Sequence, residues 1–214
     1  MTPFRRQWFR YAGLGALTPL ALLSQRVLAQ AHMGHPPPAS QDVADTTVLP
    51  QTNDGQYRPV RTLNGWTLPH RMVNGVKEFH LVAEEIEHEF APGSRAKCWG
   101  YNGTTPGPTI EAVEGDRVRI YVTNRLREHT SIHWHGLLLP SGMDGGGGLS
   151  QPQIHPGETF VYEYTLRQHG THMYHPHADE MVQMAMGMMG FFVVHPRAGE
   201  PRRIDRDYAL LLHN

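Results

Sequence analysis

The 214-residue chain has one cysteine, almost no net charge, and no apolar run long enough to cross a bilayer. A single thiol, Cys98, excludes a disulfide framework within the chain. With 19 Lys and Arg against 20 Asp and Glu, the formal charge is −1. No basic stripe of the kind that binds a phosphate backbone is left over, so nucleic acid is not an expected partner. The apolar run from Tyr11 to Leu23 falls short of the roughly 20 residues that a membrane-spanning helix needs. No stable membrane span is therefore expected. What the chain does have is 15 histidines and 10 methionines, with 22 glycines and 17 prolines to punctuate them. Metal-type ligands are plentiful, and the length suits one domain with tails.

The first 31 residues read as a targeting segment. Arg5 and Arg6 open a charged stretch, the apolar run follows, and Ala29-Gln30-Ala31 offers a small-x-small cleavage site. The segment resembles a twin-arginine export signal, which implies a periplasmic location. Its removal would leave 183 residues with a net charge of −5, because the leader carries four arginines and no acid.

Residues 32–76 read as a polar, Pro-rich tail or linker with no helix or strand period. At its start, His32-Met33-Gly34-His35 could hold copper loosely. Residues 77–197 read as one all-β domain in which short β-rich runs alternate with Gly, Pro and Asn clusters. Strands are expected at 78–90, 95–99, 109–113, 117–124, 131–135, 159–166, 171–175, 190–195 and 208–212. In Val118-Arg119-Ile120-Tyr121-Val122 apolar residues alternate with polar ones, as a half-buried strand requires. Seven or more such strands favour a sandwich. The one expected helix is 178–189.

Eight of the histidines fall between His129 and His177. The strongest signals are His133-Trp134-His135-Gly136 and His175-Pro176-His177. On a strand, residues two apart share a face with origins about 6.6 Å apart, so two such pairs on neighbouring strands make a four-imidazole patch. That spacing is wide for one tetrahedral ion and suits two ions. Imidazoles without thiolate favour copper, zinc, nickel or iron.

Together with Asn102-Gly103-Thr104-Thr105-Pro106-Gly107-Pro108, Gly115-Asp116, Asp144-Gly145, Ser150-Gln151-Pro152, Pro156-Gly157-Glu158 and Gly170-Thr171-His172-Met173-Tyr174, these motifs resemble the first cupredoxin domain of bacterial multicopper oxidases over 78–196. The resemblance implies a cupredoxin-like Greek-key β-sandwich. It implies that His133 ligates a type 2 copper and that His135, His175 and His177 ligate a type 3 pair. In that family the three ions reduce O2 to water with electrons from a separate type 1 copper, taken in turn from a donor that the sequence does not identify. Met173 stands where relatives often carry Trp, and the Gly145–Gly148 run predicts a mobile loop.

A type 1 site needs a Cys thiolate with two histidines. Cys98, in Lys97-Cys98-Trp99-Gly100, has no such context and reads as a core residue, so type 1 copper is not supported. The resemblance further implies that a second cupredoxin domain, or a neighbouring subunit, supplies the other half of the cluster. Residues 198–214 are then the start of a connection to that domain, and the chain alone is expected to be inactive. A non-catalytic periplasmic copper buffer or carrier is the other reading of the same patch.

Within Met181 to Met189, Met181, Met184 and Met188 have the spacing of a buried helix face, although thioethers also suit Cu(I). Asp179 and Glu180 either relay protons to the patch, with Asp179 the catalytic candidate, or sit in a first helical turn where acids are favoured. His172 should point away from His175, and His129 and His155 read as surface groups in turns.

Overall fold

A computed structural model describes residues 60–62 and 65–213. The leader, its twin-arginine motif and the His32–His35 segment lie outside the described residues. Among the described residues, no helix is long and apolar enough to cross a membrane.

Among the described residues the strands are β1 (Arg61–Thr62), β2 (Arg71–Val73), β3 (Val76–Ala91), β4 (Ser94–Tyr101), β5 (Ile110–Val113), β6 (Arg117–Asn124), β7 (Ile132–His135), β8 (Thr159–Thr165), β9 (Gly170–Pro176), β10 (Gly190–His195) and β11 (Tyr208–Ala209), with one α-helix, α1 (Glu180–Ala185), and a 3-10 turn at Ser141–Met143. They form a five-stranded sheet in the order β2-β3-β6-β8, with β4 also on β3, a four-stranded sheet in the order β5-β10-β9-β7, and a two-stranded pairing of β1 with β11. Strands β3 and β6 pair parallel, as do β5 and β10, because the chain passes from one sheet to the other between β4 and β9 instead of turning back in hairpins. The result is the expected all-β sandwich.

Alternation fills the space between the sheets. On β6, Val118, Ile120 and Val122 are buried while Arg117 is exposed. Register sets Ile120 beside Phe79 on one side and Tyr162 on the other. From the opposite sheet comes Trp134, fully buried, with its ring centroid 5.1 Å from Tyr162 and 5.9 Å from Phe192. Truncating so large a buried ring typically costs about 3–5 kcal/mol. The same alternation that turns Trp134 inward turns His133 and His135 outward.

Two expectations need correction. The stretch 60–76 is not all linker: β1 pairs with β11, β2 pairs with β3, and Leu68 is buried with its N–H donating to the Thr109 carbonyl at 2.8 Å. Strands of two or three residues are too short to show a period, and their stability comes from partners distant in sequence. The expected helix over 178–189 is only the six residues of α1. Its predicted buried methionine face fails as well, since Met181 is 88% exposed and the buried helical residue is Gln183. Met188 is buried, but beyond the helix, after a turn at Gly187.

His70 in the reassigned segment is buried against Phe79. Burial, and then the nearby Lys77 cation, lower its pKa to about 4, with Asp116 pulling weakly the other way. Between pH 6.5 and 4 the unfolded chain thus binds a proton at His70 that the folded one does not, so stability falls on acidification through this window. A His70→Leu variant should show a flatter stability profile there, by on the order of 2 kcal/mol. Urea midpoints at pH 4.5 and 7, compared between variant and wild type, measure the difference.

Candidate metal centre

Strand β7 is an edge of its sheet, and its pairing with β9 sets His133 directly opposite His175. His135 follows on the same face, two residues along. The ring centroids of His133 and His175 are 5.3 Å apart, those of His133 and His135 5.4 Å, and those of His135 and His175 5.4 Å. One donor nitrogen from each of His133, His135 and His175 lies within 4.8 Å of the other two, and among the described residues no other three His, Cys or acidic side chains converge in this way. His177, one residue past β9, is exposed, with its ring 5.6 Å from that of His133. The structure thus gathers three of the four predicted ligands and sets the fourth beside the first.

Hydrogen bonds orient two of the rings. His133 Nδ1 lies 2.6 Å from the Asp144 carbonyl, and His175 Nδ1 lies 2.9 Å from the Pro176 carbonyl. A carbonyl only accepts, so both Nδ1 atoms carry the proton and both Nε2 atoms keep a lone pair. His175 Nε2 then accepts from His135 Nδ1 at 3.1 Å. Burial lowers the pKa of His175, and the neighbouring His133 and His135 push the same way against the Pro176 carbonyl and Glu180. His175 is therefore neutral at pH 7, the form a metal requires. All the donors are imidazoles, with no thiolate among them, which fits copper or zinc and does not fit a blue type 1 site. Cys98 is buried on β4 of the other sheet, and burial raises its pKa.

The loop after β7 is built for close approach. Gly145 has φ 92°, and a Cβ there would run into the Ile132 carbonyl and the His133 Cα. The Ser150 N–H donates to the Gly146 carbonyl at 2.8 Å and the Gly148 N–H to the Gln151 carbonyl at 2.7 Å. Contact with β7 thus accounts for Gly145, while Gly147 is crowded by the Gln153 and Ser131 side chains.

Around α1, Asp179 has φ 44° at the N-cap and is exposed, and its side chain makes no capping bond. Glu180 comes closer to the patch, its carboxylate 3.7 Å from His175 Nδ1. His172 lies across the sheet from His175, near Gly136 and Gly170, with its pKa lowered by burial. Sequence reasoning missed Gln183, whose buried amide accepts from Thr130 Oγ1 at 2.7 Å and donates to the His129 carbonyl at 2.9 Å. It ties α1 to the segment entering β7. The available signal was one amide inside a methionine run.

The family model for multicopper oxidases matches residues 82–199. Copper resistance protein A of Escherichia coli is 42% identical over 120 residues, covering 56% of this chain and 20% of that protein. The L-ascorbate oxidase of Brassica rapa subsp. pekinensis is 38% identical over 152 residues, covering 68% of this chain and 26% of that protein. A crystal structure of a multi-copper oxidase from Pseudomonas Thermotolerans superposes with a TM-score of 0.56 at 38% identity, covering 59% of this chain and 30% of that one. The chain thus spans about a fifth to a quarter of the length of these curated relatives.

Proposed function

The chain belongs to the multicopper oxidase family, with a cupredoxin-like fold and copper as the family's metal, and from that premise we propose that it is the copper-binding first domain of a periplasmic oxidase. In this reading it contributes half of a trinuclear cluster at which O2 is reduced to water while a donor is oxidised in one-electron steps. The observation that carries the reading is the convergence of His133, His135 and His175 on one sheet face, two of them with the proton held on Nδ1 by a backbone carbonyl so that Nε2 carries the lone pair.

His133 would hold the type 2 ion, and His135, His175 and His177 the type 3 pair. Copper bound there would supply the one-electron chemistry. The protein's part is positioning. Trp134 anchors β7 in the core, the Asp144 carbonyl fixes the His133 tautomer, and burial keeps His175 neutral. Asp179 and Glu180 are the acids proposed to pass protons toward the patch, and the 3.7 Å between Glu180 and His175 supports Glu180 as the nearer of the two. A second cupredoxin domain or a neighbouring subunit would complete the cluster and bring the type 1 copper, since the only thiol lies on the other sheet. Twin-arginine export would deliver the protein to the periplasm.

The test is copper titration of the purified chain, followed by the visible spectrum and O2 uptake. Bound copper without an intense blue band or O2 consumption is expected for the chain alone. O2 uptake should appear once a family domain carrying the remaining histidines and the thiolate is supplied. No copper uptake, or copper-dependent O2 consumption by the chain alone, would overturn this reading.

A further inference from the structure

The residues His129 and His155 are 26 positions apart in sequence, yet the fold sets them side by side. Thr130 and Ile154 form an antiparallel bridge, exchanging hydrogen bonds of 3.0 and 2.8 Å. Both of those side chains are buried, so the pleat sends the next residue on each side outward. His129 and His155 therefore face each other at the non-hydrogen-bonded position, where opposed backbones approach most closely, at about 4.5 Å between Cα atoms. Both are exposed, and their rings lie 6.5 Å apart at 62°.

Their backbones are held by two buried amides, Asn124 and Gln183. Asn124 Nδ2 donates to the Glu128 carbonyl at 2.7 Å and to the Ile154 carbonyl at 2.8 Å, so it grips the residue before each histidine. Asn124 Oδ1 accepts from the Leu126 N–H at 2.9 Å, and Gln183 Nε2 donates to the His129 carbonyl at 2.9 Å. On the far side, the His155 N–H donates to the Glu158 carboxylate at 3.0 Å. The two imidazoles are free to turn on a scaffold already in place, so binding a ligand costs side-chain ordering alone.

We propose that His129 and His155 form a second metal site, a two-imidazole surface chelate for a divalent transition ion such as Cu2+ or Zn2+, separate from the patch on β7 and β9. Two imidazoles sharing an ion at about 2.0 Å per nitrogen have ring centres about 5 Å apart at a tetrahedral angle, so the rings, now 6.5 Å apart, must approach by roughly 1.5 Å, which rotation of two exposed side chains on opposed backbones can supply. Glu128 and Glu158 flank the pair and favour a cation, and the adjacent Arg127 is engaged by Glu85 at 3.3 Å. The donors are neutral nitrogens without thiolate, the set that suits Cu2+ and Zn2+. With only two protein ligands, water fills the remaining positions and the ion exchanges freely.

The test compares two proteins that both carry His133→Ala and His175→Ala, one of them with His155→Asn in addition. Both lack the patch, so the outcome does not depend on the oxidase reading, and His32 and His35 contribute equally to each. Cu2+ titration should show about one equivalent in the first protein that is missing from the second. In the wild-type chain, Cu2+ added beyond what the β7–β9 patch takes up should further broaden the amide resonances of 128–130 and 154–156, and His155→Asn should abolish that further broadening; this readout serves should the alanine background not fold. Equal stoichiometry in the two proteins, or broadening that ignores His155→Asn, overturns the proposal.

Discussion

A chain carrying His133→Ala and His175→Ala is expected to lose copper from the β7–β9 patch, with a fall in affinity beyond the 10- to 100-fold, roughly, that follows from disturbing a group behind the ligands. These two imidazoles stand opposite each other across one strand pairing, and each has its Nε2 directed by a carbonyl bond at Nδ1. What remains, His135 and His177, are both exposed. No ring contact joins His135 to His177 directly, and each of the two packs against His133 instead. His172→Ala should retain copper, because alternation along β9 puts that ring on the other face of the sheet. Copper stoichiometry by atomic absorption, with electron paramagnetic resonance to report nitrogen ligation, separates the variants. Wild-type stoichiometry in the double variant would remove the ligand assignment.

The sandwich was legible wherever a strand is long enough to alternate. Strand β6 occupies the expected 117–124, because one-sided burial writes a period of two into its residues, and β10 occupies the expected 190–195 as a short, almost continuously buried apolar run. The His-x-His pairs were legible for the same reason: a residue between two histidines on a strand must face the other way, and Trp134 does. The misses share a cause. Strand β2, the β1–β11 pairing and the burial of Leu68 depend on partners far along the chain, and three residues carry no readable period. The Met181–Met189 stretch misled because spacing alone cannot tell which helix face meets the protein. Here Gln183 is the residue turned inward, held by Thr130 and the His129 carbonyl. Likewise His129 and His155 looked like unrelated turn residues until the Thr130–Ile154 bridge brought them together.

Gly145→Ala should damage the patch without touching a ligand. At φ 92° any L side chain is strained, and here a Cβ would also meet the backbone of β7 at Ile132 and His133, which cannot give way as a flexible side chain can. The loop must lift, and the Asp144 carbonyl, 2.6 Å from His133 Nδ1, lifts with it. The strain and the lost contact together should cost about 2–4 kcal/mol of stability. His133, released from the bond that fixes its tautomer, should lose roughly 10- to 100-fold in copper affinity. Gly146→Ala is the control one residue away. Its φ is ordinary and its nearest obstacle is the Ser150 hydroxyl at 3.0 Å, a side-chain atom that can turn aside, so stability and copper binding should stay near wild type. Urea unfolding and copper titration of the two variants in parallel decide the matter. Equal behaviour of Gly145→Ala and Gly146→Ala would mean that the loop does not hold His133, whereas selective loss in Gly145→Ala ties the metal affinity of an edge-strand histidine to the missing side chain of a glycine twelve residues further along the chain.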